Sequence, residues 1–534
     1  MPAVPATIHN ELTRLLLILL LVSSTSEGQA ADRFVSTAGS DAANNCLSSV
    51  SPCLTVANGL AQAASGDSVK VAGGNYRENV TISTATTLTL AGGWTADFSA
   101  QDPAAMSTVL QAAMQLPVVT SLASGITIDF TADGLTIQGG KNIPETPGPL
   151  CQDGLGGGIC AQVSSLGSLG VALSRVTLTR NLANSSGGGL AAVAYPNEMG
   201  SSLNLTVTDS VVTGNAAGFG GGIAIVADDK PAVSVTLDHV LFKRNRAAGV
   251  HGAITTPFGG GLSIGHGTGS VAQNVQVLVQ NSDFESNRSS SVERLGGGAG
   301  GVGAVNTGCV MGSCPLTVVN SIFVHNRAVY AGGIGVSGGA TLVTVTATKN
   351  AATVPTGTGG GGVWIGSGSI LDSILWDNRG VHPRDLQAFT NVTLDHCDVL
   401  EQSGPVTDLG GNISANPLFV APNDIHLGPG SPCIDTGTCT GAPTTDFEGD
   451  PRPTGASCDM APTSSCRRKR GRTPHPARTH RQPRKTSQAA ISTPTTTSRV
   501  DDTPRWGAPT STRPCEITAW WVPSSSYSTL TKIG

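Results

Sequence analysis

Apolar and polar residues alternate along the middle of the chain, in segments such as "LNLTVTDSVV" (203–212), "VSVTLDHVLF" (233–242) and "VQVLVQNSDF" (275–284). A period of two predicts strands with one face buried and one exposed. Each segment is followed within a few residues by an asparagine, giving the series Asn181, Asn215, Asn245, Asn287, Asn326, Asn350 and Asn378. Beyond each asparagine the chain tends to run into glycines, as in "LTRNLANSSGGGL" (178–190) and "VTGNAAGFGGGI" (212–223). The intervals between asparagines range from 24 to 42 residues. Such spread predicts coils with a common core and loops of unequal length.

These features together predict a parallel β-solenoid. Each coil would lay a strand about 4.8 Å from its predecessor and bury a narrow stripe of Val, Ile, Leu and Phe. Asparagines at one turn of successive coils would hydrogen-bond along the stack as a ladder, and glycines would supply positive φ at the corners. In "LTVANGLAQAASGD" (54–67), Leu54, Ala57, Leu60, Ala61 and Ala64 fall on one helical face. A short helix there is expected to cap the first strand edges, within an N-terminal cap over 31–66. Residues 67–83 read as the first coil of a solenoid over 67–411. Residues 412–460 lose the Asn/Gly rhythm and read as its finish.

Composition agrees with a thin β structure: 69 glycines, 13% charged residues and 4% aromatics in 534 residues leave few bulky groups for a broad core. The N-terminus reads as a secretory signal peptide over 1–30. Arg14 precedes the apolar run Leu15–Val22, and Gly28 and Ala30 suit cleavage after Ala30. That run is too short for a stable membrane anchor, and no later segment offers about 18 uninterrupted apolar residues. Export would place the twelve cysteines in an oxidising setting. Four close pairs are expected to staple loops: Cys46 with Cys53, Cys151 with Cys160, Cys309 with Cys314, and Cys433 with Cys439. Cys397 with Cys458 is a further pairing that spacing leaves open. No pair has a partner at zinc-ligand spacing.

Phe242–Asn245, Phe284–Asn287 and Phe323–Asn326, with the GGG[IL] runs, resemble the repeats of polymorphic outer membrane proteins. "CLSSVSPCLTVANGLAQAASGDSVKVAGGNYRENVTI" and "LAGGWTADF" resemble the opening of secreted bacterial right-handed parallel β-helix proteins. "ANPLFVAPNDIHLGPGSPCIDTGT" and "TTDFEGDPRPTGASCDM" resemble the end of the choice-of-anchor Q group within that class. The resemblance covers about 33–460 and implies an all-β, right-handed parallel β-helix with a secreted or bacterial cell-surface location. It says little about activity, because that fold hosts lyases, hydrolases and adhesins.

Candidate chemistry is sparse. "IGHGTGS" (264–270) is similar to the Gly-His-Gly of β-helix hydrolases, and Asp228 with Asp229 offers paired carboxylates one coil earlier. Against this, Asp228-Asp229-Lys230-Pro231 is also turn chemistry, and His266 stands in a glycine corner. Asp446, Glu448 and Asp450 alternate like a calcium loop but lack the further ligands of one. The expectation is therefore no cofactor, no metal site and a structural, adhesive or glycan-binding role. A polysaccharide lyase or glycoside hydrolase of the pectate lyase or polygalacturonase type is the alternative. The expected partner is an extracellular polysaccharide or cell-surface glycan, with no nucleic acid, bound by a monomer.

The last segment changes character. Residues 461–534 hold 13 of the 31 Lys and Arg and three of the 36 acidic residues, so they carry +10 while the first 460 carry −15. "RRKRGR" (467–472) has the composition of a basic arm. It is also what GC-rich DNA yields out of frame, and 461–534 is expected to be a disordered basic tail produced by a frameshift. If "APTSSC" is encoded GCG CCG ACG AGT TCG TGC, one G placed before it gives Gly-Ala-Asp-Glu-Phe-Val, the type of ending found in the choice-of-anchor Q group. Sequencing across the Met460 codon checks this, and coding DNA from which no single insertion yields that ending overturns it.

Overall fold

The computed structural model describes residues 30–463, apart from 85, 145–150, 152, 195–199, 228–230, 249–256, 266–274, 291–300, 305–315, 354–358 and 381–382. The described chain is a right-handed parallel β-helix. The coil around Asn215 is representative. A strand over Leu190–Ala194 forms the first face, and Ser202–Thr213 bends once to give a second face (202–208) and a third (211–213). Ala216–Ala217 then adds a short ladder before the glycine corner. Each segment pairs in parallel with its equivalent one coil on: Leu190 with Ile223, Leu203 with Val233, Val212 with Phe242 and Ala216 with Arg246. Residues of one strand parity point inward and form one continuous apolar column from Val35 to Val399. Phe242, Phe284 and Phe323 stack within it, with centroids 4.4 and 4.7 Å apart.

The seven asparagines are buried and joined. Nδ2 of each donates to Oδ1 of the next, from Asn181 to Asn215 at 3.1 Å and then Asn215 to Asn245, Asn245 to Asn287, Asn287 to Asn326, Asn326 to Asn350 and Asn350 to Asn378, each at 3.0 Å. The second Nδ2 hydrogen goes to a backbone carbonyl of the preceding coil, as from Asn287 to Phe242 at 2.8 Å. The backbone N–H of each asparagine donates to the same Oδ1 of its successor, as from Asn245 to Asn287 at 3.0 Å. Every amide from Asn215 to Asn378 therefore uses both donors and both acceptor positions, as a buried amide requires, while Asn181 at the start of the series accepts from Gly140 N at 2.9 Å. The ladder ends on Asp385, whose Oδ1 takes the last amide hydrogen at 2.8 Å. Burial pushes the Asp385 carboxyl up to about 6.

Glycine dominates the positive-φ positions at one corner of the coil. Gly187, with φ +70°, opens that turn, and a Cβ on Gly188 would sit 2.4 Å from the Gly221 carbonyl oxygen. The other two bends use mostly non-glycine residues in the left-handed conformation, with Gly134, Gly139 and Gly214 as the glycines among them. One row comprises Arg175, Asp209, His239, Asn281, Asn320, Thr344, Asp372 and His396, between the second and third faces. The other comprises Arg180, Arg244, Ser286, His325, Lys349 and Asp377, each immediately before a ladder asparagine. This conformation costs roughly 1–2 kcal/mol per L-residue. The residue that follows each bend turns inward and is fixed there: Ser282 Oγ, for instance, accepts from Val240 N at 3.1 Å and donates to the Gln280 carbonyl at 2.7 Å.

The N-terminal helix, α1, spans Val56–Gln62 and is capped by Thr55, whose side chain accepts from Asn58 N at 3.1 Å. Its buried face is Val56, Gly59, Leu60 and Ala63 rather than the stripe through Leu54, Ala57, Ala61 and Ala64. Gly59 is the reason: a Cβ there would lie 2.6 Å from Val35 Cγ2, so the helix comes closest where it has no side chain. The parallel stack also begins before 67, since Asp32–Val35 already pairs with Ser68–Ala72. It continues to Val406–Asp408.

Asn287→Ala would strand two donors of Asn245 and the Phe242 carbonyl in the core and leave the Asn326 oxygen with one of its two donors, where each unmade bond costs about 1–3 kcal/mol. The expected result is a loss of about 3 kcal/mol or more in urea unfolding, against no measurable change for Asn204→Ala on the exposed side of its strand.

Candidate functional site

Several residues singled out by sequence lie outside the described residues: Asp228, Asp229, His266 and the segment 464–534. Cys309 and Cys314 lie outside them as well, so the staple expected between Cys309 and Cys314 is not among the disulfides of the described chain. Cys46 is bonded to Cys53 and Cys151 to Cys160. Cys439, however, is bonded to Cys458, not to Cys433. An antiparallel bridge between Gly437 and Cys458 brings the two Cα atoms to 5.3 Å. Cys433 instead turns into an apolar cluster with Ile374, Leu427, Met460 and Ala461, where its thiol meets Asp398 Oδ2 at 3.2 Å. Cys397 is likewise a buried free thiol rather than a partner of Cys458, set against the Ile370 and Asp395 carbonyls at 3.3 Å.

Residues 412–463 fold back against the third face of the last coils. The Asp372 carboxylate accepts from Thr438 N at 2.7 Å, Lys349 Nζ donates to the Pro422 carbonyl, and Asp398 accepts from Ala415 N at 3.0 Å. Arg452 donates to the Ala461 carbonyl and reaches Asn320 Oδ1 at 3.4 Å. Burial pulls its pKa down while Asp446, Asp459 and Asp372 oppose that. Phe447 N donates to the Pro462 carbonyl at 2.7 Å and Thr463 is buried, so packing runs through the first three residues after Met460. The hairpin of Phe419–Ala421 and Asp424–Leu427 is tied to the following loop by His426, with Nδ1 2.6 Å from Asp424 and Nε2 3.2 Å from Glu448. Glu448 first, then Asp424, holds the imidazole up to about 9 against the opposing effect of burial.

Beside this segment the third face carries a charge cluster that sequence reading missed. Asp283 and Glu285 occupy consecutive outward positions of one strand, and Glu285 pairs with Lys243 of the preceding coil at 2.5 Å. Asp283 Oδ1 is closed off from solvent without a hydrogen-bond partner among the described residues. Burial, with Glu285 adding, pushes Asp283 up to about 7. Nearby His325 is pulled down by burial and by Lys349. Among the described residues no group of three or more His, Cys, Asp or Glu could hold a metal ion.

The second face carries a repeated polar feature. The pairing register aligns one outward position of each coil into a row: Thr89, Thr131, Ala172, Thr206, Thr236, Leu278, Thr317, Thr341, Ser369, Thr393 and Thr407. The hydroxyls of Thr131, Thr206, Thr236, Thr317 and Thr341 make no hydrogen bond to any described residue. Asp129, Asp133, Asp238 and Asp395 stand in the flanking rows, and no Lys or Arg occupies a second-face strand from Thr127 to Asp395. The alternation that predicts these strands contains the row, but only the register shows that the threonines align.

No family model matches the chain, and no curated protein does. Among solved structures, the crystal structure of pectate lyase Pel9A aligns with 82% of this chain and 98% of its own, at 12% identity and a TM-score of 0.42. The β-helix is evident from the strand register itself. No helix among the described residues is long and apolar enough to cross a membrane.

His426 gives the docked segment a pH dependence of definite sign. Its folded pKa is raised, so its contribution is complete below about pH 6.5 and is lost as pH rises through about 9. Urea unfolding between those limits is expected to lose on the order of 2 kcal/mol. His426→Gln is expected to flatten that slope.

Proposed function

We propose that this chain is a secreted or cell-surface β-helix protein that adheres to glycans and does not turn them over. The observation that supports this reading is the second face, where hydroxyls not used by the fold are repeated along the stack. Free hydroxyls on a rigid sheet suit carbohydrate, because each both donates and accepts hydrogen bonds. The oxidised pairs Cys46–Cys53, Cys151–Cys160 and Cys439–Cys458 fit an exported protein. We further propose that the N-terminal segment is a removable signal and that the chain belongs with choice-of-anchor Q proteins carrying repeats of the polymorphic outer membrane type.

A second reading has one observation in its favour. Asp283 and Glu285 are neighbouring carboxylates in unlike surroundings, the arrangement that divides acid and base roles in glycoside cleavage. Two features weigh against it. Glu285 is engaged by Lys243, and the free oxygen of Asp283 is shut away from solvent, where no substrate reaches it.

Affinity electrophoresis through polysaccharide-loaded gels, run beside assays for reducing ends and for unsaturated uronate products, separates the readings. Retardation without product is expected. Product formation that disappears in Asp283→Asn or Glu285→Gln would establish the enzyme instead.

A further inference from the structure

Resting on the glycan-binding reading, we infer that the ligand is a neutral, extended polysaccharide chain lying along the second face parallel to the solenoid axis. Three properties of the surface lead there. The threonine row repeats at the coil rise of about 4.8 Å and runs through eleven strands, so its length is about 50 Å. That length far exceeds a small ligand, and a repeat of that size is close to one hexose unit.

The second property is charge. A polyanion such as a uronate or sulfated chain needs cations to offset its charges. The second-face strands from Thr127 to Asp395 supply none, and carboxylates at Asp129, Asp133, Asp238 and Asp395 flank the row instead. Arg175, at the bend beside the face, is already paired with Asp133. Such a surface offers an anionic chain no compensating side-chain cation on any of these strands, opposes it at three of them, and leaves neutral chains unaffected.

The third property is relief. Threonine and serine reach only one heavy-atom shell beyond Cβ, so among the described residues the row is a shallow strip. A strip of this kind gains affinity by repeating weak contacts along a polymer. Ala172 and Leu278 interrupt the hydroxyls and offer apolar contact to the C–H faces of sugar rings. Threonine also favours strands for purely conformational reasons. Valine substitution separates the two roles, because it keeps the branched shape and removes the hydroxyl.

The test is calorimetric titration of the full-length protein with β-1,4-glucan oligomers of two, four and six units and with uronate oligomers of the same lengths. Affinity for the neutral series is expected to rise by at least about tenfold from two units to six, with little salt dependence, and uronate oligomers are expected to bind at least about tenfold more weakly. The quadruple variant T206V/T236V/T317V/T341V is expected to lose at least about tenfold in affinity for the six-unit glucan while keeping its thermal unfolding midpoint. Uronate binding equal to or tighter than neutral binding overturns the ligand class and leaves glycan adhesion standing. Undiminished binding by the quadruple variant overturns the location. If neither series binds, the inference falls together with the glycan-binding reading.

Discussion

The buried amide ladder is the constraint on which the other elements depend. An asparagine at an inside corner has two donors and an acceptor that must be satisfied out of reach of water, and here only the equivalent asparagine one coil away completes the set. Each coil is therefore held at a fixed register relative to its neighbours before its loops are considered. With the register fixed, the Phe242–Phe284–Phe323 stack follows, as does the alignment of the threonines. Because all the amides donate in one direction, each bond polarises the next. The series closes where a carboxylate, Asp385, accepts without passing a hydrogen on.

Much of this is legible in the sequence, since alternation and recurring asparagines are local signals that repeat. Less legible are the bends. A chain met as letters suggests glycine wherever positive φ is needed, and the GGG corner obeys that expectation. Arg244 and His325 do not, because the inward residue after each is locked by its neighbours and the coil can bear the local cost. The α1 face departs from its apolar spacing for a related reason: helical spacing ranks apolar side chains, whereas the packing there is governed by a glycine that lets the helix approach Val35.

The disulfide near the end and the charge cluster on the third face share a cause. Both depend on residues brought together across the fold, by the last segment at the disulfide and by coil pairing at the charge cluster, and spacing along the chain carries no record of that. Cys433 is six positions from Cys439, yet burial against Ile374 and Met460 takes it elsewhere while Cys458 arrives from nineteen positions away. Asp283 and Glu285 look like ordinary outward strand residues until the pairing places Lys243 beside Glu285 and burial closes over Asp283.

The left-handed bends have one more consequence. Their occupants include arginine, aspartate, histidine, asparagine, threonine, serine and lysine, all in the same backbone state. Folding thus asks for a shape at these positions and is nearly indifferent to the group carried there. The two rows act as interchangeable mounts running the length of the rod, on which charge and polarity can be revised coil by coil while the interior stays as it is.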